Sequence, residues 1–123
     1  MSPQLSGQQH KFQILVSVCD LDNLETINLS VMFGETNYVT GEIPECIGNL
    51  SNLTYLDLSW NQLHGEIPET IGDLSNLSVL IASNNFIENL PESVGQLSQV
   101  WYLDLGYNNL QTLPSSISNM SSL

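Results

Sequence analysis

The stretch Leu53-Thr54-Tyr55-Leu56-Asp57-Leu58-Ser59-Trp60-Asn61-Gln62-Leu63 decides how this chain folds, because its pattern returns. It returns as Leu77-Ser78-Val79-Leu80-Ile81-Ala82-Ser83-Asn84-Asn85-Phe86-Ile87 and as Val100-Trp101-Tyr102-Leu103-Asp104-Leu105-Gly106-Tyr107-Asn108-Asn109-Leu110. Aliphatics hold the first, fourth, sixth and eleventh places (Ala82 in one sixth place), and asparagine holds the ninth. Each copy runs on to a proline: Pro68, Pro91 and Pro114. Three residues later come Ile71, Val94 and Ile117, and three further on Leu74, Leu97 and Met120. Leu53 to Leu77 is 24 residues, and Leu77 to Val100 is 23. Self-similarity at such a period means stacked structural repeats, each too small to bury its own apolar side.

An earlier turn precedes these. Leu24-Glu25-Thr26-Ile27-Asn28-Leu29-Ser30 matches the strand segment, and residues 37–50 match the remainder. About five extra residues fall within Val31 to Thr36. A competing register starts at Leu29 and keeps the period, but puts Gly34 where a leucine belongs. The insertion is preferred, because Leu21-Asp22-Asn23-Leu24 mirrors Leu50-Ser51-Asn52-Leu53.

The LxxLxLxxNxL pattern resembles the leucine-rich-repeat superfamily over residues 21–123. Asn61-Gln62-Leu63-His64-Gly65-Glu66-Ile67-Pro68 is similar to the plant-specific subclass of receptor-like kinase ectodomains, receptor-like proteins and polygalacturonase-inhibiting proteins. Later turns lack that glycine and resemble the 23-residue repeats of Ras-group proteins. The resemblance implies an α/β solenoid, with short parallel strands on a concave face and short helical or 3-10 turns on the convex face. It also implies ligand binding on the concave face.

Within each turn the repeated aliphatics point inward. Asn61, Asn85 and Asn108 are expected to point inward too, where their amides would satisfy backbone groups otherwise buried unpaired. Pro68-Glu69 and Pro91-Glu92 suit the opening of a helical turn, since proline tolerates the first helical position. Gly48, Gly72 and Gly95 are expected to end that turn. Glu45, Glu69 and Glu92 would then stack as a solvated, mutually repulsive column and not as a metal site.

Only 11% of residues are charged, against roughly 25% in an average domain, and the imbalance is severe: 13 acidic residues, one basic residue, net charge −12. Phosphate backbones and anionic membranes are repelled, so nucleic acid is not an expected partner. Basic partners are favoured. No apolar run is long enough to span a membrane. Cys19 and Cys46 are too few for a disulfide framework or a zinc site, and read as two free thiols.

The residues between the strand leucines are free of the core, and aromatics collect there. Tyr55, Trp60, Trp101, Tyr102 and Tyr107 fall on this face, beside Asp57 and Asp104. Exposed Trp and Tyr dominate binding hot spots, and the two carboxylates could pair a ligand's Lys or Arg. A protein or peptide ligand follows, with no cofactor and no metal. Strand preference for aromatics is the competing explanation.

Catalysis is not expected. His10 and His64 fall in the leader and in an outer loop, away from the two aspartates, and no nucleophile motif or phosphate loop occurs. Asp57 and Asp104 lie two turns apart, near ~10 Å from strand spacing.

Residues 1–20 read as an irregular leader or degenerate cap, and 21–123 as about four turns cut short at the C-terminus. That uncapped end leaves self-association open. Five glycosylation sequons, at Asn28, Asn49, Asn52, Asn76 and Asn119, agree with an extracellular parent, whereas the leader makes a poor signal peptide and argues for a cytoplasmic chain. The expected function is a recognition module from a receptor-like or inhibitor-like protein of plant signalling or defence. The alternatives are an intracellular signalling scaffold and a structural, self-associating solenoid.

Overall fold

A computed structural model describes residues 4–6, 14–31 and 38–123, with residues 4–6 and 14–15 as backbone only. Five short parallel strands form the main sheet: β1 (Gln4–Ser6), β2 (Thr26–Asn28), β4 (Tyr55–Asp57), β6 (Val79–Ile81) and β8 (Tyr102–Asp104), in that spatial order. Between them the chain builds a second parallel sheet from β3 (Thr40–Gly41), β5 (Gln62–Glu66) and β7 (Phe86–Asn89). Each turn closes through a 3-10 helix: η1 (Glu45–Asn49), η2 (Glu69–Asp73), η3 (Glu92–Gln96) and η4 (Ser115–Asn119). A five-residue helix, α1 (Ile14–Val18), lies between β1 and β2.

The register settles how the first turn is built. Ile27 pairs Leu56, Leu56 pairs Leu80, and Leu80 pairs Leu103. The repeat therefore begins at Leu24, two residues before β2, as the insertion register requires, and Leu24, Ile27 and Leu29 are buried. Most of the insertion, residues 32–36, lies outside the described residues, as do residue 37 and His10. The segment read as a leader or cap contributes β1, in which Leu5 pairs Ile27.

The core is a set of aliphatic columns, one residue per turn, such as Leu53–Leu77–Val100 and Ile47–Ile71–Val94, all essentially inaccessible. Burying one such side chain contributes about 1.5–3 kcal/mol, but only when the next turn covers it. Stacking thus supplies the stability that a single turn lacks.

Three expectations need correction. Cys19 and Cys46 are not free: they form a disulfide across a sequence separation of 27, tying the segment after α1 to η1. In the chain-entropy picture a loop of that size is worth about 3–4 kcal/mol. His64 is not in a loop but in β5, although it is exposed. Gly48, Gly72 and Gly95 lie inside the 3-10 helices and do not end them; the caps are Leu50, Leu74 and Leu97. Their role is close approach. A Cβ on Gly48 would stand 2.5 Å from the Thr70 carbonyl oxygen, and one on Gly95 2.7 Å from that of Ser116. The same contact is closed by hydroxyls: Thr70 Oγ1 donates to Glu45 O (2.6 Å) and Ser116 Oγ to Glu92 O (2.6 Å).

Candidate functional site

The concave surface is set by the main sheet, because alternate strand residues point away from the core. Thr26, Tyr55, Val79 and Tyr102 are direct partners across adjacent strands, and so are Asn28, Asp57, Ile81 and Asp104. Trp101 precedes β8 and contacts Tyr102, the ring centroids 5.8 Å apart and tilted by 55°. The aromatics are concentrated toward the later turns. Trp101 is 61% exposed, Tyr102 44% and Tyr107 86%, and Trp60, three residues beyond β4, is 54% exposed. Tyr55 is half-buried in the middle of the sheet. Burial, then the Asp57 carboxylate, then Tyr102 push its phenol above the usual tyrosine range.

Trp60, Asn84 and Tyr107 share one backbone feature: φ of 60°, 61° and 58°, the left-handed region. Each follows a strand where the chain leaves the sheet. Trp60 N–H donates to Ser83 O (3.0 Å) and Asn84 N–H to Gly106 O (2.9 Å). Side chains at this place are thrown outward, clear of the core. The conformation costs an L-residue roughly 1–2 kcal/mol, and asparagine tolerates it far better than tryptophan or tyrosine.

The two aspartates are not equivalent. Asp57 is buried, and its Oδ1 accepts from Ser59 N–H (2.9 Å) and Ser59 Oγ (2.6 Å). The same clasp forms between Asn28 Oδ1 and Ser30, at 3.2 and 2.7 Å. In the last turn the serine is replaced by glycine, and Asp104 Oδ1 accepts only Gly106 N–H (3.0 Å). Asp104 is therefore the more available charge, and Asp57 is half committed to holding its own turn. The serine at i+2 was the sequence signal for this clasp, and the sequence reading passed over it.

Asn61, Asn85 and Asn108 point inward, each with its amide fully engaged. Asn85 Oδ1 accepts from Leu63 N–H (2.9 Å), and its Nδ2 donates to Leu58 O (2.9 Å), Ala82 O (3.2 Å) and Ser83 O (3.3 Å). Asn61 makes the corresponding bonds to Val39 N–H, Leu29 O, Leu58 O and Ser59 O. Asn108 accepts from Ile87 N–H and donates to Ala82 O and Leu105 O.

Elsewhere on the surface, a shallow depression of about 340 Å³ lies beside η2, lined by Glu45, Glu66, Glu69, Pro68 and Pro91 among others. Among the described residues no group of three His, Cys, Asp or Glu is placed to hold a metal ion, and no helix is long and apolar enough to cross a membrane.

A family model described as leucine-rich repeat region matches residues 6–123. No curated protein matches the chain. Among solved structures, the plant peptide hormone receptor RGFR1 in complex with RGF2 is 39% identical, with a TM-score of 0.78 over 98% of this chain and 18% of its own. A leucine-rich-repeat protein of Leptospira interrogans is 31% identical, with a TM-score of 0.78 over 98% of this chain and 29% of its own. The ectodomain of the Arabidopsis receptor kinase HAESA, in complex with an N-terminally extended IDA peptide hormone, is 27% identical, with a TM-score of 0.79 over 99% of this chain and 20% of its own. The chain thus spans less than a third of the length of these neighbours. With the repeat pattern, the stacked register and these likenesses together, the chain belongs to the leucine-rich-repeat superfamily, and to its plant type.

Proposed function

We propose that this chain is a non-catalytic recognition module, part of a receptor-like or inhibitor-like protein, that binds a protein or peptide on its concave face. The observation that carries this reading is the exposed aromatic group of Trp101, Tyr102 and Tyr107, continued toward Tyr55 and Trp60. The core does not use these rings, and large rings left in water are characteristic of binding hot spots. Two of the similar structures are plant receptors whose descriptions name a peptide hormone, which supports a peptide ligand here.

The charge argues for the ligand's chemistry. With a net charge of −12 and Asp104 beside Trp101 and Tyr102, the face favours a basic segment, its Lys or Arg paired to Asp104 or laid over a ring. The Cys19–Cys46 disulfide weighs against a cytosolic scaffold, because cytosolic thiols are kept reduced. It favours an extracellular setting.

The test is an affinity capture from host extract with the wild-type chain and with a Tyr55→Ala, Trp101→Ala, Tyr102→Ala variant, both shown to be folded by circular dichroism. The partner identified on the wild type should bind the variant about a hundredfold more weakly or worse, since hot-spot rings cost 2 kcal/mol or more each. Binding should also weaken as salt screens the charges. Equal capture by the two proteins would remove the concave aromatics from the site and end this reading.

A further inference from the structure

We propose that the β8 turn holds one arginine side chain of a linear peptide, its guanidinium set fork-on against Asp104, and that Gly106 is the residue that keeps this place open. The subsite rests on the concave-face reading above and makes its ligand specific. Asn28, Asp57, Ile81 and Asp104 form one row across the strands. A serine two residues on clasps the first two. Ser30 N–H and Oγ both donate to Asn28 Oδ1, and Ser59 N–H and Oγ both donate to Asp57 Oδ1. A carboxylate oxygen accepts about two hydrogen bonds, so Asp57 Oδ1 is full. A guanidinium fork needs both oxygens of one carboxylate, and Asp57 has only one to offer. It is also buried.

Asp104 differs through the hydroxymethyl group that Gly106 lacks. Its Oδ1 accepts Gly106 N–H alone (3.0 Å), and among the described residues no other hydrogen bond reaches the carboxylate. A Cβ on Gly106 would stand 3.2 Å from that same Oδ1 and, its chain neighbours aside, would meet no other atom within 4 Å. The clasp is therefore missing for want of a side chain, and nothing else fills its place. One acceptor site of Oδ1 and both of Oδ2 remain, which is what a fork requires. The difference lies inside the turn, so the turns beside it do not create it. The surroundings suit the flat, weakly hydrated faces of a guanidinium. Ile81, half-buried, is the direct partner of Asp104. Tyr102, two residues earlier on the same side of β8, has the Trp101 ring 5.8 Å from its own. Lysine would bring a compact ammonium that cannot fork, and the net charge of −12 disfavours an acidic residue.

The test pans a phage-displayed library of random dodecapeptides on the wild-type chain and on the Tyr55→Ala, Trp101→Ala, Tyr102→Ala variant. Peptides retained by the wild type alone should share an arginine. In the tightest of them, replacing that arginine by lysine should weaken binding about tenfold by fluorescence polarisation, and replacing it by uncharged citrulline should cost more. Both losses should shrink to about twofold or less in Asp104→Asn and in Gly106→Ser, which restores the clasp, and should persist in Asp57→Asn. Asn28 holds its clasp with an amide oxygen, so the two asparagine variants keep the local fold, which equal unfolding midpoints would verify. Selective peptides with no shared arginine, or an arginine whose replacement costs as much in Gly106→Ser as in the wild type, would overturn the subsite and leave the concave face a binding surface. Equal retention by the two panned proteins, including none by either, would take down the concave-face reading and the subsite with it.

Discussion

Trp60 and Asn61 are neighbours in the chain and opposites in the fold, and the same contrast recurs at Asn84–Asn85 and Tyr107–Asn108. The second residue of each pair points into the solenoid and has its amide spent on backbone groups of its own and adjacent turns. The first has a left-handed backbone and a side chain cast outward, at 54% exposure for Trp60 and 86% for Tyr107. One place is fixed in residue type because it completes hydrogen bonds. The other varies between Trp, Asn and Tyr because packing asks nothing of it. Selection for binding can therefore act one residue away from the structural ladder without disturbing it.

The sharpest way to break the contrast is on the inner side. Asn85→Ala leaves Leu63 N–H without its buried acceptor and takes one of two side-chain donors from each of the Leu58 and Ala82 carbonyls, which keep Asn61 and Asn108. The orphaned donor costs roughly 1–3 kcal/mol and each lost bond to a carbonyl about 1 kcal/mol more, so a loss of about 3 kcal/mol is expected in denaturant unfolding. A loss under 1 kcal/mol would mean that water replaces the amide and the ladder is dispensable.

Next in size is Gly48→Ala, where the new Cβ meets Thr70 backbone and Cβ at 2.5–2.6 Å. The turns must separate, at about 2 kcal/mol. Gly106→Ala is its control: its nearest contact is Asp104 Oδ1 at 3.2 Å, a side-chain atom that needs to give by only a few tenths of an ångström, and little change is expected. Equal unfolding midpoints for the two would refute close approach as the reason for the glycine column.

On the outer side the sign reverses. Trp60→Asn, which copies Asn84, relieves a strained backbone and should raise stability by up to about 1 kcal/mol while weakening capture of the ligand. A clear loss of stability would show that Trp60 packs on the fold after all.

The smallest effect is electrostatic. Because the folded state raises the Tyr55 pKa, folding gains a contribution that is complete below the unfolded value of about 10 and is lost as pH climbs through the folded value. An ultraviolet phenolate titration should show one tyrosine ionising late. Asp57→Asn should bring it part of the way back, burial being the larger cause. No movement in that variant would mean Asp57 is not felt at Tyr55.

The repeat itself was legible from sequence because each turn uses the same few residues for the same packing, and four copies restrict the register. That reading yields the inward leucines, the strand places, the Asn column and the aromatics between the leucines. It could not yield contacts between places that the period does not relate. The Cys19–Cys46 bond joins the segment after α1 to η1, and no spacing rule links them. The glycines looked like helix stops because local grammar puts glycine at helix ends, whereas their cause is the approach of the next turn. Asp57 and Asp104 look alike in sequence, and only the hydroxyl of Ser59 and its absence at Gly106 separate them. The outer sheet of β3, β5 and β7 was likewise invisible, because it rests on hydrogen bonds between turns. Sequence by itself determined which aliphatic columns face inward, since a periodic apolar pattern has one way to stack, but not how far burial extends, because Leu113 of the last turn is exposed and Asp57 is buried. Tertiary structure alone decided which polar groups remain free to bind, because that depends on partners one turn away.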